Sequence, residues 1–303
     1  MELALSIERD LGIPCPVSLL ADTSTPRLLA AALKMGAKAP PASSIAIDSR
    51  PPIFAVHGMQ GFMLPRKDFM LGLHPEQELH MFELPGIRDK TTRLKSVEAI
   101  AERYCQQMTE KCPVGPLHLA GFCMGAFIAI EMAARLADLG RPVSKLVLIE
   151  PNVPSMLGDL YRKGQWDNAG AIAAYGSESR RAAGDAYTRR LLLRQKENGG
   201  DHLQKRYPGY EFSIDARAKL LGAFHTYHPR LLSSPVHVIL SKDRQLILKE
   251  LVDLSVPSVW DKFIPNRKIH IAGESHTAVL DSSSGKTAAL IQKIFDGQDP
   301  TEM

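Results

Sequence analysis

One segment constrains this chain more than any other: Leu117-His118-Leu119-Ala120-Gly121-Phe122-Cys123-Met124-Gly125-Ala126. It reads as an apolar strand, a Gly-x-Cys-x-Gly turn and the start of an apolar-periodic helix. A chain that passes from strand to helix in so few residues exposes the middle of the turn. The flanking glycines let neighbouring backbone come close. Cys123 then stands at a helix N-terminus, where the dipole favours a thiolate. The plain alternative is a buried structural cysteine, a common fate for this residue. Cys105 lies inside an amphipathic helical pattern, and Cys15 and Cys112 sit beside prolines, so for those three the plain alternative is preferred.

Around this turn the chain alternates strand-like and helix-like runs. The strands are expected at Pro52–Val56, Glu78–Leu84, Leu117–Ala120, Val143–Ile149, Val236–Ser241 and Lys268–Ala272. Helical patterns fall at Ser96–Lys111, Met124–Leu139 and Ser284–Phe295, with Gly140 placed as a C-cap. Such alternation implies α/β architecture, a largely parallel sheet covered by helices. Between Glu150 and Pro235 it stops, and a helical, polar insertion at about 153–224 reads as a lid. Residues 36–51 hold Pro40, Pro41, Ser43, Ser44 and Pro51, a linker composition. Residues 1–35 read as short helices: Glu2–Leu11 is amphipathic, Gly12 and Pro14 break it, and Pro26–Leu33 forms the last. The main domain is therefore expected over 52–303.

Composition narrows the function classes. Of the 303 residues, 45% are apolar and 23% charged, an ordinary globular balance. No apolar run reaches the roughly 18 residues a bilayer span needs, so no membrane association is expected. The N-terminus lacks a basic stretch followed by an apolar core, so no secretory signal is visible. Four cysteines without metal-ligand spacing or disulfide density fit a reduced, cytoplasmic setting without a metal site. A net charge of +4 does not by itself point to nucleic acid, and no such partner is expected.

A second loop has chemistry that matches the cysteine turn. Ile53-Phe54-Ala55-Val56 runs into His57-Gly58-Met59-Gln60-Gly61. In the α/β-hydrolase scheme one oxyanion-hole amide comes from the residue after the nucleophile and one from a loop after an earlier strand; here these are Met124 and Met59. His57 precedes that loop and reads as structural. Of the ten histidines, His276 alone follows the last strand on a loop, where the scheme's base belongs. His80, His118, His237 and His270 fall inside strands and read as packing residues. Two carboxylates end strands at the edge where sites in open parallel sheets form: Glu150, and Asp243 as the alternative acid. Either would orient an imidazole and stabilise its cation.

At this point the chain resembles the thioesterase domains that end polyketide synthase and nonribosomal peptide synthetase assembly lines. The resemblance covers roughly Pro52–Asp296. It rests on Ile53–Gly61, Leu84-Pro85-Gly86, Ser96-Val97-Glu98, Gly115-Pro116-Leu117 through Gly125, Leu146–Pro151, Tyr227-His228-Pro229, and Trp260 with His276. The family's usual acid position falls on Glu150. Two departures stand out: cysteine where serine is usual, and glutamate where aspartate is usual. Residues 1–35, with Glu2–Ile13, Pro16–Leu20 and Ser24-Thr25-Pro26, resemble the last part of an acyl or peptidyl carrier domain. The serine bearing phosphopantetheine in that family would lie before Met1.

The resemblance implies an α/β-hydrolase fold and a Cys123–His276–Glu150 triad acting on an acyl or peptidyl thioester. An upstream carrier domain would present that substrate on its phosphopantetheine, with no cofactor bound by this domain itself. Release would follow by cyclisation, intermolecular transfer or hydrolysis. The rivals are a stand-alone editing hydrolase, which the carrier-like N-terminus disfavours, and a non-catalytic module binding a carrier or an acyl chain. An inactive scaffold would not be expected to keep thiol, histidine and acid in order.

Overall fold

The computed structural model describes residues 2–13, 15, 19, 29–30, 33, 50–63, 65–87, 94–152, 155–175, 177, 213–243 and 257–298, with a few positions between 186 and 197. Six strands form one sheet: β1 (Ile53–Val56), β2 (Leu79–Met81), β3 (His118–Phe122), β4 (Lys145–Ile149), β5 (Val236–Leu240) and β6 (Arg267–Ile271). Their order is β2-β1-β3-β4-β5-β6, and every pairing is parallel. This is the parallel sheet flanked by helices that the alternation predicted, in the α/β-hydrolase arrangement that the resemblance implied.

The central strands are mostly apolar because both faces of the sheet are covered. All four residues of β1 are buried. Successive side chains point to opposite faces, so Phe54 and Val56 enter one core while Ile53 and Ala55 enter the other. On the first face lie α3 (Val97–Lys111) and α4 (Gly125–Asp138), contributing Ile100, Tyr104, Phe127 and Ile128. On the second lie α2 (Lys67–Gly72) and α9 (Ser284–Phe295), contributing Phe69, Ile291 and Ile294. Ser96 caps α3, its hydroxyl accepting the Ala99 N–H at 3.2 Å. Gly140 ends α4 with φ 72°, the left-handed C-cap that glycine adopts without strain.

The chain leaves β1 towards β2 and then crosses back to place β3 on the other side of β1. That reversal opens a crevice at the carboxyl ends of β1 and β3, where open α/β sheets bind ligands. The strand register sets Val56 beside Gly121 there.

Between β4 and β5 the described stretches are helical: α5 (Ser155–Arg162), α6 (Ala169–Tyr175) and α7 (Ile214–His225). Although α7 overlaps the span read as a lid, Leu220, Ala223 and Phe224 pack in the main core, with Phe224 edge-on to Phe127 at 5.7 Å. A short helix, α8 (Pro257–Asp261), precedes β6. At the N-terminus α1 (Glu2–Leu11) ends at Gly12, φ 64°. A separate small cluster joins Cys15, Leu19 and Leu33 with Ile7, Ile13 and Leu29. Most of the expected helix Pro26–Leu33 and of the linker at 36–51 lies outside the described residues. Among those described, no helix is long and apolar enough to cross a membrane, and no cluster of three or more His, Cys, Asp or Glu could hold a metal.

Candidate active site

Cys123 is the residue immediately beyond β3. Its φ of 55° is left-handed, a conformation that costs a non-glycine residue about 1–3 kcal/mol and recurs at functional turns. The turn is held from both sides: Cys123 N–H donates to Ile149 O at 2.8 Å, and Asn152 N–H donates to Cys123 O at 3.4 Å. The flanking glycines are required by packing. A Cβ on Gly125 would sit 2.2 Å from His57 O, and one on Gly121 would sit 2.6 Å from Gly125 O. Both contacts are with backbone, which cannot move aside. The motif thus lets the head of α4 pass against the end of β1.

Glu150 repeats this geometry one strand over. It directly follows β4, has φ 51°, and its N–H donates to Ile239 O at 2.8 Å. These are the two non-glycine residues with positive φ among those described. The Glu150 side chain is fully buried. One carboxylate oxygen accepts the Ser241 N–H, and the other lies 2.9 Å from His276 Nδ1. With Nδ1–H donating to the carboxylate, Nε2 is the ring nitrogen left for Cys123.

His276 stands on the loop after β6. Its pKa is pushed up to about 9, first by the hydrogen bond to Cys123 and then by that to Glu150, with burial acting against both. Phe122 stacks on its ring, with centroids 5.2 Å apart and planes at 23°. Phe122 also packs beneath the loop after β1, since a Cβ on Gly58 would lie 3.0 Å from its Cδ1.

Asp243 is placed differently. Its side chain is exposed, and among the described residues its carboxylate has no partner. Its backbone N–H donates to Glu274 O at 3.0 Å, and Lys242 N–H donates to Gly273 O at 3.1 Å. The end of β5 therefore holds the His276 loop through its backbone.

Met59 and Met124 lie on the loops that flank Cys123. A Cβ on Gly58 would sit 3.4 Å from Cys123 Cβ, so the loop after β1 reaches the thiol turn. Among the described residues neither the Met59 nor the Met124 N–H meets an acceptor. His57, by contrast, is fully buried, and burial pushes its pKa down to about 4.

The other thiols lie elsewhere. Cys105 is pushed up to about 12 by burial, and its S–H faces Met132 O at 3.7 Å. Burial also raises Cys112, whose S–H faces Val114 O at 3.1 Å. Cys15 sits in the N-terminal cluster. Two residues at the site escaped sequence reasoning. Tyr104 carries only a core signal, at helical spacing from Ile100 and Met108. Phe122 occupies a variable position of the turn motif, and its aromatic character was the one available cue.

Residues 51–169 match the thioesterase domain family model. A dimodular nonribosomal peptide synthase of Bacillus subtilis is 26% identical over 159 residues, covering 50% of this chain and 6% of that protein. The chain thus spans a small part of the synthetases it matches. The NocB thioesterase domain of the nocardicin cluster superposes with a TM-score of 0.56 at 20% identity, over 82% of this chain and 95% of that one. A four-domain nonribosomal peptide synthetase, holo-AB3403, superposes with a TM-score of 0.57 at 21% identity, over 98% of this chain and 23% of that one. At these identities the two structures establish the fold.

Proposed function

As this chain carries a thioesterase domain related to those of nonribosomal peptide and polyketide synthetases, we propose that it releases an acyl or peptidyl chain from the phosphopantetheine thioester of a carrier protein. Cys123 is the nucleophile, His276 the acid and base, and Glu150 the carboxylate that orients it. The observation carrying this reading is that His276, bonded through Nδ1 to the buried Glu150 carboxylate at 2.9 Å, has its pKa raised first by Cys123, the left-handed residue of the turn after β3.

His276, anchored on the buried Glu150 carboxylate, takes the Cys123 proton or holds it as an ion pair, which supplies the thiolate for attack. The thiolate attacks the thioester carbonyl. A carbon–sulfur bond forms, and the carbonyl π pair moves to oxygen, which the Met59 and Met124 amides receive. On collapse the bond to the pantetheine sulfur breaks, and that sulfur leaves with the proton from His276 Nε2. The acyl-cysteine is then resolved by water, or by a hydroxyl or amine of the chain or of another molecule. His276, now neutral, takes that nucleophile's proton as its bond to the acyl carbon forms; on collapse the bond to Cys123 Sγ breaks, and the freed sulfur regains its place beside protonated His276. Thioester exchange onto cysteine is nearly isoenergetic, so the intermediate keeps driving force for a weak nucleophile or a strained ring.

The insertion at about 153–224 serves as a lid in this reading. Its basic residues Arg162, Lys163, Arg189, Arg190 and Arg194 offer a face to an acidic carrier. Arg180, Arg181, Lys196, Lys205 and Arg206 lie outside the described residues. Residues 1–35 are read as the last part of a carrier domain, joined by a linker at 36–51. Their separate apolar cluster supports this, as does a fold likeness that reaches 98% of the chain for the four-domain synthetase and 82% for an isolated thioesterase domain.

The test is intact-mass analysis after exposure to a synthetic acyl thioester. Wild-type protein should gain one acyl group at Cys123, and Cys123→Ala none while keeping its circular dichroism. An adduct that persists in the alanine variant would remove Cys123 from the role. Product analysis of the same reaction separates free acid, the mark of an editing hydrolase, from ring or transfer product.

A further inference from the structure

The proposed reaction leaves unused a buried titratable pair behind the loop after β1. His57 Nδ1 lies 2.8 Å from Gly58 O, and its Nε2 lies 2.7 Å from Tyr104 Oη. A carbonyl oxygen can only accept, so Nδ1 carries the proton and Nε2 the lone pair; Tyr104 therefore donates. Burial keeps the imidazole neutral, at about 4, and pushes the Tyr104 hydroxyl well above its ordinary value, so neither group changes charge in the working range. Tyr104 is itself fixed, stacked on Phe82 at 4.4 Å and 10°. The hydrogen bonds thus run one way, from Tyr104 through His57 to the Gly58 carbonyl.

That carbonyl also accepts the Gly61 N–H at 3.2 Å. In a planar trans peptide the C=O and the following N–H point in opposite directions, and no cis bond occurs among the described residues. Two donors on Gly58 O therefore turn the Met59 N–H the other way, and it is one of the two amides without an acceptor beside the thiol turn. We infer that His57 and Tyr104 are positioning residues whose hydrogen bonds set the Gly58–Met59 peptide and so aim the Met59 amide at the developing oxyanion. This rests on Cys123 being the nucleophile. It separates two properties of the site: thiolate reactivity, which belongs to His276 and Glu150, and oxyanion stabilisation, which this pair supports.

The experiment compares two reactions at the same sulfur. Alkylation of Cys123 by iodoacetamide needs a thiolate and no oxyanion hole. Acylation by octanoyl-N-acetylcysteamine needs both. In Tyr104→Phe, His57 Nε2 loses the donor that anchors the ring, so the imidazole holds the Gly58 carbonyl less firmly although that carbonyl still sets the tautomer. Acylation should slow about tenfold, less than the loss of an oxyanion donor outright, while alkylation and its pH profile stay within about twofold. His57→Asn, which keeps an amide donor, should acylate faster than His57→Leu. If the leucine variant does not fold, Tyr104→Phe still decides. Parallel loss of both reactions would mean a collapsed site and would overturn the inference, as would unchanged acylation in Tyr104→Phe. Wild-type protein that alkylates at Cys123 but never acylates would instead refute the nucleophile reading on which it rests.

Discussion

His57 and His276 stand on loops that converge on one thiol, yet they are tuned in opposite directions. His57, fully buried against a phenol and a backbone carbonyl, is driven to about 4. His276 is only partly buried, hydrogen-bonded to a thiol and a carboxylate, and is raised to about 9. Burial lowers both. What separates them is the partner: dipoles cannot repay the desolvation of a charge, whereas groups that bear negative charge can. One histidine is thereby a fixed neutral strut, and the other a mobile proton carrier, some 5 pKa units apart on the values above.

The sharpest way to break this contrast is to take the charge from Glu150. Glu150→Gln preserves shape but leaves His276 without its buried anion, and its pKa should fall towards the ordinary range. Turnover of an acyl thioester should drop by about 10² to 10⁴, the range known for neutralising such an orienting acid. Asp243→Asn should change it by no more than about twofold, as expected for an exposed carboxylate without a described partner. Steady-state rates for both variants check this, and a larger loss at Asp243 would move the acid to the later strand.

How far this contrast could be read from sequence is instructive. The central strands were legible because burial on both faces makes them continuous apolar runs. β2 was read too long, as 78–84, because the ladder stops at Met81 with one further bond, Phe82 N–H to Ala55 O at 3.0 Å, before the turn at Pro85-Gly86. The turn motif marked Cys123, although the structure buries it where the turn was expected to expose it, and chain order selected His276. The choice between Glu150 and Asp243 stayed open on the residues alone, since both end strands. Burial and hydrogen bonding distinguish them, and neither is written in spacing. The left-handed φ at Glu150 and the Tyr104–His57 bond are likewise tertiary, because Tyr104 shows only the periodicity of a core residue. The span read as a lid takes in α7 for a related reason: α7 has a weak amphipathic pattern although it packs in the core.

The two histidines should also leave opposite marks on stability. His276 has its folded pKa above the unfolded value of about 6.5, so its contribution is complete below 6.5 and is lost as pH rises through about 9. His57 has its folded pKa below 6.5, so its contribution is complete above 6.5 and is lost as pH falls through about 4. Melting temperature should therefore decline on both sides of neutrality. In His276→Asn the decline between 6.5 and 9 should shrink by a few degrees while the acid limb is retained, about what a change near 1 kcal/mol produces. Differential scanning calorimetry across pH checks this; an alkaline limb unchanged by the substitution would contradict the raised pKa.

The smallest expected effect concerns the sulfur itself. Cys123→Ser leaves both oxyanion amides and Glu150 in place and changes one atom of the turn. It removes the first of the causes that hold His276 near 9, because a hydroxyl is not appreciably ionised near neutral pH. The pKa of His276 should then fall, with Glu150 still raising it, and the ring must act as a full general base, so acylation slows. The oxygen ester that forms lies lower in free energy than the native thioester. Attack by a weak or strained nucleophile loses driving force, while water, at high concentration, suffers least. The serine variant should therefore accumulate acyl-enzyme or shift its products towards free acid by a factor of a few, about 1 kcal/mol in relative barrier. Product ratios for the two enzymes on one acyl thioester measure this directly. Equal ratios at equal rates would show that sulfur contributes nothing beyond what a hydroxyl supplies, and that the raised pKa of His276 serves the resting state alone.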